Sequence, residues 1–143
     1  MFKKFFKKKE ENTSNLDEKS ILIGALLIHA AKIDDAYTEN EKNIIKQALI
    51  NLKTTKPDKV DELLIEAEKK EQQSNQIVEY TKEIKKNPME FRFKIIEIIW
   101  KIVYSDGTSG NYESNLIRRV CGLLYVSDRD SGVIKLKVKN SIK

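Results

Sequence analysis

Two stretches of this chain repeat each other at a fixed offset of 72 residues, and that repeat limits the possible folds more than any other feature. The first, Leu26 to Leu49, reads LLIHAAKIDDAYTENEKNIIKQAL. The second, Lys94 to Leu124, reads KIIEIIWKIVYSDGTSGNYESNLIRRVCGLL. Asp34 falls over Asp106 and Glu41 over Glu113, so each copy carries D-x6-E. Apolar positions follow in register: Ala30 with Ile102, Ile44 with Leu116, Ile45 with Ile117. Each copy reads as an apolar helix, an acidic turn and an amphipathic helix. Two copies are too few for a solenoid, so they belong to one domain with two related helix–turn–helix units.

The rest of the chain supports an all-helical reading. Among 143 residues there are only five Gly and two Pro, which favours long uninterrupted helices. Ser14, with Asp17 three residues on, reads as a capping box that opens a core helix through SILIGALLIHAAKI to Ile33. It is too short to cross a bilayer, which takes about 20 apolar residues. Its basic lead-in and Ala30-Ala31 resemble a secretory signal, but Glu10, Glu11, Asp17 and Glu18 stand where a positive region belongs. Thr38-Glu39-Asn40-Glu41 is a capping box that opens a helix to about Lys53. Val60, Leu63, Leu64 and Ala67 recur at helical spacing and predict a third helix to about Gln73. Ile77, Tyr80 and Ile84 mark a fourth. Asn87-Pro88-Met89-Glu90 looks like another capping box and opens a fifth helix, apolar nearly all round and therefore central. Glu97 interrupts that apolar surface and needs a partner; Arg118 or Arg119, one element later, can supply it, and Arg118 is the expected one. A sixth helix runs from about Asn111 to Tyr125. A seventh starts near Ser127 and is expected to fray, because Gly132 weakens it. The expected fold is an all-α bundle of six to seven helices. Its parts are a basic tail over residues 1–13, a domain over 14–137 and a second basic tail over 138–143.

Charge separates the ends from the body. The net charge is +5, yet residues 1–11 hold five Lys against two Glu, and residues 133–143 hold four Lys and no acid. The remainder is slightly acidic and shows no basic face interleaved with aromatics, which argues against nucleic acid as a partner. Phe2, Phe5 and Phe6 lie at helical spacing between lysines. They suit either a membrane-surface contact or packing on the domain's own core. Cys121, the one cysteine, and His29, the one histidine, read as a packing residue and a core-edge residue. A lone thiol fits a reducing compartment. No phosphate loop, activated nucleophile or cofactor motif is present, so no enzyme is expected.

The acidic turns carry the functional question. Asp34 and Asp106 follow helix C-termini, where the helix dipole disfavours a carboxylate. In one reading the next helix's N–H groups compensate, and Glu41 is simply a capping-box residue. In the other a cation compensates. Asp34, Asp35, Glu39 and Glu41 in one turn, with Asp106 and Glu113 in the other, offer oxygen ligands that suit Ca²⁺ or Mg²⁺, and less well Mn²⁺. The spacing is not an EF-hand: counting from Asp106 or Asp34, the twelfth position is Ile117 or Ile45, where a bidentate Glu is needed.

These two segments resemble the signature segments of the TerB-like tellurite-resistance family, which read as an apolar helix, Ala-Asp-Gly and an acidic helix start. The likeness runs from about residue 20 to 137. It is closer in the second copy, through Tyr104-Ser105-Asp106-Gly107, Glu113 and Ile117-Arg118-Arg119. In the first, Asp35 stands where the family has Gly. The resemblance implies a helical bundle in a bacterial cytoplasm, in one reading at the inner membrane's surface. It also implies a stress-linked role exercised through acidic, metal-binding surfaces and protein partners.

Overall fold

The computed structural model describes residues 17–34, 37–73, 76–106 and 111–141, without the side chains of Asp34, Asp106 and residues 111–114. Phe2, Phe5, Phe6 and Asp35 lie outside the described residues. The described residues form seven α-helices and two 3-10 turns with no strand: α1 (Glu18–Ala31), a turn (Lys32–Asp34), α2 (Glu39–Asn51), α3 (Val60–Gln73), α4 (Ile77–Ile84), α5 (Met89–Val103), a turn (Tyr104–Asp106), α6 (Asn111–Leu124) and α7 (Asp128–Ser141). None of these helices is long and apolar enough to cross a membrane.

Helix α1 is apolar on almost every face, and Leu22 through Ile28, Ala30 and Ala31 are all buried. A helix of this kind can be stable only at the centre. It is surrounded by α2, α3, α4 and α5. Gly24 lets α3 approach closely: a Cβ built there would come within 2.7 Å of the Ala67 Cβ. Helix α5, expected to be central, forms the second axis of the core. It buries Ile95, Ile96, Ile98, Ile99, Trp100, Ile102 and Val103 and packs against α1, α2, α6 and α7.

The helix ends follow local chemistry, with three departures from expectation. Asp17 is the N-cap of α1, its carboxylate accepting from the Lys19 N–H at 3.4 Å. Asn87 does not cap α5. Its side-chain amide donates backwards to the carbonyls of Glu83 and Ile84, closing α4, while its oxygen accepts from Lys19 Nζ at 2.7 Å. Helix α5 instead begins after Pro88 with no side-chain cap. Finally, α7 does not fray at 137. Ser127 caps it through the Asp130 N–H, Val138 is buried, and the helix continues to Ser141. Packing along α5 outweighs the weak propensity of Gly132.

Candidate functional site

The repeat seen in the sequence is a structural repeat in unbroken register. Helices α1 and α5 end at Ala31 and Val103, the 3-10 turns end at Asp34 and Asp106, and α2 and α6 begin at Glu39 and Asn111. Each pair is 72 residues apart. The register continues to the far ends of α2 and α6. There the Thr54 N–H donates to the Leu49 carbonyl and the Val126 N–H to that of Cys121. Lys53 and Tyr125 occupy the left-handed position between, at φ 60° and 58°, as in a Schellman cap without glycine. Each hairpin is also tied at its base from an equivalent position. Ser20 Oγ donates to the Thr54 carbonyl at 3.1 Å, and Arg92 to the Leu124 carbonyl at 3.1 Å.

Around the acidic turns the backbone brings Asp34 and Asp106 to equivalent places, each on the last residue of a 3-10 turn. The side chains of Asp34, Asp106 and Glu113, and all of Asp35, lie outside the described residues. Glu41 is described and buried. Its Oε1 accepts from the Thr38 N–H at 2.9 Å and from Thr38 Oγ1 at 3.2 Å, while Thr38 Oγ1 accepts from the Glu41 N–H at 3.1 Å. The expected capping box is therefore formed. Glu39 is exposed and lies 3.5 Å from Lys42. Among the described residues no group of three or more His, Cys, Asp or Glu side chains is arranged to hold a metal.

The approach to the first turn is fixed by a polar cluster around one buried carboxylate. Glu71 of α3 meets Lys32 Nζ at 2.8 Å and His29 Nδ1 at 3.2 Å. The His29 ring tilts against Tyr80, their centroids 6.2 Å apart. Just after the turn, the Tyr37 hydroxyl donates to Glu68 at 2.8 Å. Burial first, and then the Glu68 carboxylate, push the Tyr37 phenol well above its ordinary range. Helix α3 thus grips both sides of the turn. His29 sits at the core edge, as expected, with its Nδ1 in hydrogen-bond contact with Glu71. Glu71 was not singled out from the sequence. The available signal is that residue 71 continues the apolar stripe of Leu64 and Ala67 at helical spacing, so a carboxylate there must be compensated.

The second turn is held differently. Trp100 stacks on Tyr104 with centroids 5.8 Å apart and 21° between planes. From α7, Ser131 Oγ accepts from Trp100 Nε1 at 3.3 Å, and Lys135 Nζ lies over the indole. The expected Glu97–Arg118 pair is not made. Glu97 meets Lys137 at 2.8 Å and Lys101 at 3.8 Å, while Arg118 is exposed on α6. The reason is the extra length of α7, which carries Lys137 alongside α5. The hydrogen bond to Glu97 raises the Lys137 ammonium above its ordinary range. Cys121 is buried, and that burial pushes its thiol up, the opposite of what a nucleophile needs.

A groove of about 480 Å³ lies between α2 and α5. Ile44, Ala48, Leu52 and Ile98 form its apolar floor, and Lys94 and Lys101 stand at its rim.

No curated protein and no solved structure matches the chain. Compared with known families, residues 20–136 match the one described as Tellurite resistance protein TerB. The match runs from the first turn of α1 to the middle of α7 and takes in both helix–turn–helix units, so the chain belongs to the TerB family.

Proposed function

We propose that this chain is a non-enzymatic TerB module whose two acidic turns serve a hard divalent cation, Ca²⁺ or Mg²⁺ ahead of Mn²⁺, in the stress-linked setting of the family. The observation that supports this reading is the register. The same Asp closes the same 3-10 turn twice, although one turn is gripped by a polar cluster and the other by stacked aromatics. Surroundings that differ this much would let the residue drift if only packing selected it. An Asp after a helix C-terminus also calls for compensation, which a cation supplies. Asp34, Asp35 and Asp106, with Glu113, are the proposed ligand set. The buried Cys121, whose thiol is pushed up, and His29, already engaged by Glu71, favour a role without catalysis.

A second reading is favoured by one residue. Glu41 is committed to its capping box with Thr38, which speaks for carboxylates as helix caps and for a plain helical interaction domain working through protein partners in the cytoplasm. A thermal melt of chelator-treated protein, titrated with Ca²⁺, Mg²⁺ and Mn²⁺, separates the two. In the cation reading one ion raises the midpoint of the wild type but not of the Asp34→Ala/Asp106→Ala variant. If no ion acts and the variant still melts earlier, the carboxylates are caps.

A further inference from the structure

The 72-residue repeat leaves one place filled on one side of the molecule and open on the other. On the filled side, α4 packs across α1 and α6. It does so with Ile77, Tyr80, Thr81 and Ile84 buried. The corresponding place on the other side lies across α5 and α2. That place is the groove described above. The floor residues are repeat equivalents: Ile44, Ala48, Leu52 and Ile98 correspond to Leu116, Val120, Leu124 and Leu26. The last four are fully covered, whereas Ile44 and Leu52 remain partly exposed.

The chain itself supplies a candidate to fill it. Helix α4 comes directly before α5 in sequence and crosses to the opposite unit. The segment in the matching place before α1 holds Phe2, Phe5 and Phe6. Their spacing, i, i+3, i+4, is that of Ile77, Tyr80 and Thr81. The connection is four residues longer, Phe2 to Glu18 against Ile77 to Met89, so reach is not limiting. The entry point is also right. The start of α1 lies where α2 ends and α5 begins, with Ser20 bonded to Thr54 and Lys19 to Asn87, its ammonium over the Phe91 ring. Chain direction agrees as well. Helix α4 runs antiparallel to α1, with Tyr80 beside His29 and Asn87 beside Lys19. A segment leading back from α1 along the groove would run antiparallel to α5 in the same way. Glu10 and Glu11 would then come first, near Leu52 and Lys94, and the three Phe, spanning about 6 Å of helix, would follow over Ala48 and Ile44. As a helix, Phe2 to Glu10 would span about 12 Å, the same as Ile44 to Leu52.

The geometry points to the Phe/Lys segment, residues 2–11, as the fourth element of the first unit, docked in the α2–α5 groove as α4 is docked in its counterpart. Because the segment is tethered, weak intrinsic affinity is enough to keep the groove filled. This inference does not depend on any cation at the turns.

Methyl NMR of the full chain tests it. Resonances of Ile44, Leu52 and Ile98 are compared between the wild type and a Phe2→Ser/Phe5→Ser/Phe6→Ser variant, with Leu26, Leu116 and Leu124 as controls. The expected result is a shift of the groove methyls with the controls unmoved, reversed when a synthetic peptide of residues 1–11 is added to the variant. Identical groove spectra in the two proteins would overturn the proposal. So would unchanged groove spectra combined with Phe-dependent pelleting on anionic vesicles, which would assign the segment to a membrane surface.

Discussion

The two helix–turn–helix units share a backbone plan and differ in what braces them. In the first, the turn is gripped by carboxylates of α3, and the key one, Glu71, is only 7% exposed along its side chain. In the second, the brace is an aromatic stack, and the nearby carboxylate, Glu97, is 22% exposed and meets a lysine that is 74% exposed. Repetition in this chain thus keeps the geometry of the turn and not the means of holding it. A buried ion pair is costly to break from one side, because the remaining charge is stranded. An exposed one contributes little.

The largest effect expected from this contrast is therefore unequal. Glu71→Ala removes the buried carboxylate that bonds both Lys32 and His29 and should cost about 3 kcal/mol in urea unfolding, whereas Glu97→Ala should change the midpoint far less. Equal losses would break the comparison. Next comes the close approach at Gly24. Gly24→Ala forces a Cβ into Ala67 and should cost about 1–3 kcal/mol. The repeat-equivalent residue Ile96, buried against no such constraint of size, should lose about 1 kcal/mol on shortening to Val. The ties at the hairpin bases sharpen the comparison further. Ser20→Ala removes the bond to Thr54 and should cost about 1 kcal/mol, measurable by the same unfolding curve.

A smaller, pH-dependent difference follows from Tyr37. Its phenol titrates higher in the folded chain than the ordinary value of 10.0. Below that pH its contribution to stability is fully present. As pH rises past it the unfolded chain loses the proton first, and the contribution is lost. Wild type should therefore lose stability more steeply above about pH 10 than Tyr37→Phe. The second unit has Ser109 at the matching position. The smallest effect belongs to the two left-handed caps. Lys53→Gly and Tyr125→Gly should each stabilise the chain by about 1 kcal/mol or less, since glycine removes the Cβ strain but adds unfolded-state entropy.

Much of this plan is legible in the sequence, for identifiable reasons. The seven helices and the repeat are written in apolar periodicity and in Thr38–Glu41, signals that are local and need no tertiary knowledge. Asn87 misleads because an Asn before Pro is the usual start of a helix, yet the same side chain can close the preceding one. Which cation meets Glu97 is decided by how far α7 runs along α5, and that length depends on packing at Val138 rather than on the poor helix propensity of Gly132. Glu71 was readable as a carboxylate on an apolar stripe, but its partners, His29 on α1 and Lys32 in the turn after it, emerge only when α1 and α3 meet. Of the candidate cation ligands, sequence spacing placed both Asp residues at equivalent turns, and the backbone agrees.

The most direct test of unequal bracing is native-state hydrogen exchange on the wild type and on Glu71→Gln, which keeps the side chain's shape and removes its charge. The amides compared are those of the first turns of α2, residues 39–45, and their equivalents in α6, residues 111–117. Protection is expected to fall in α2 and to stay unchanged in α6. Equal loss in both, or none in either, would contradict it.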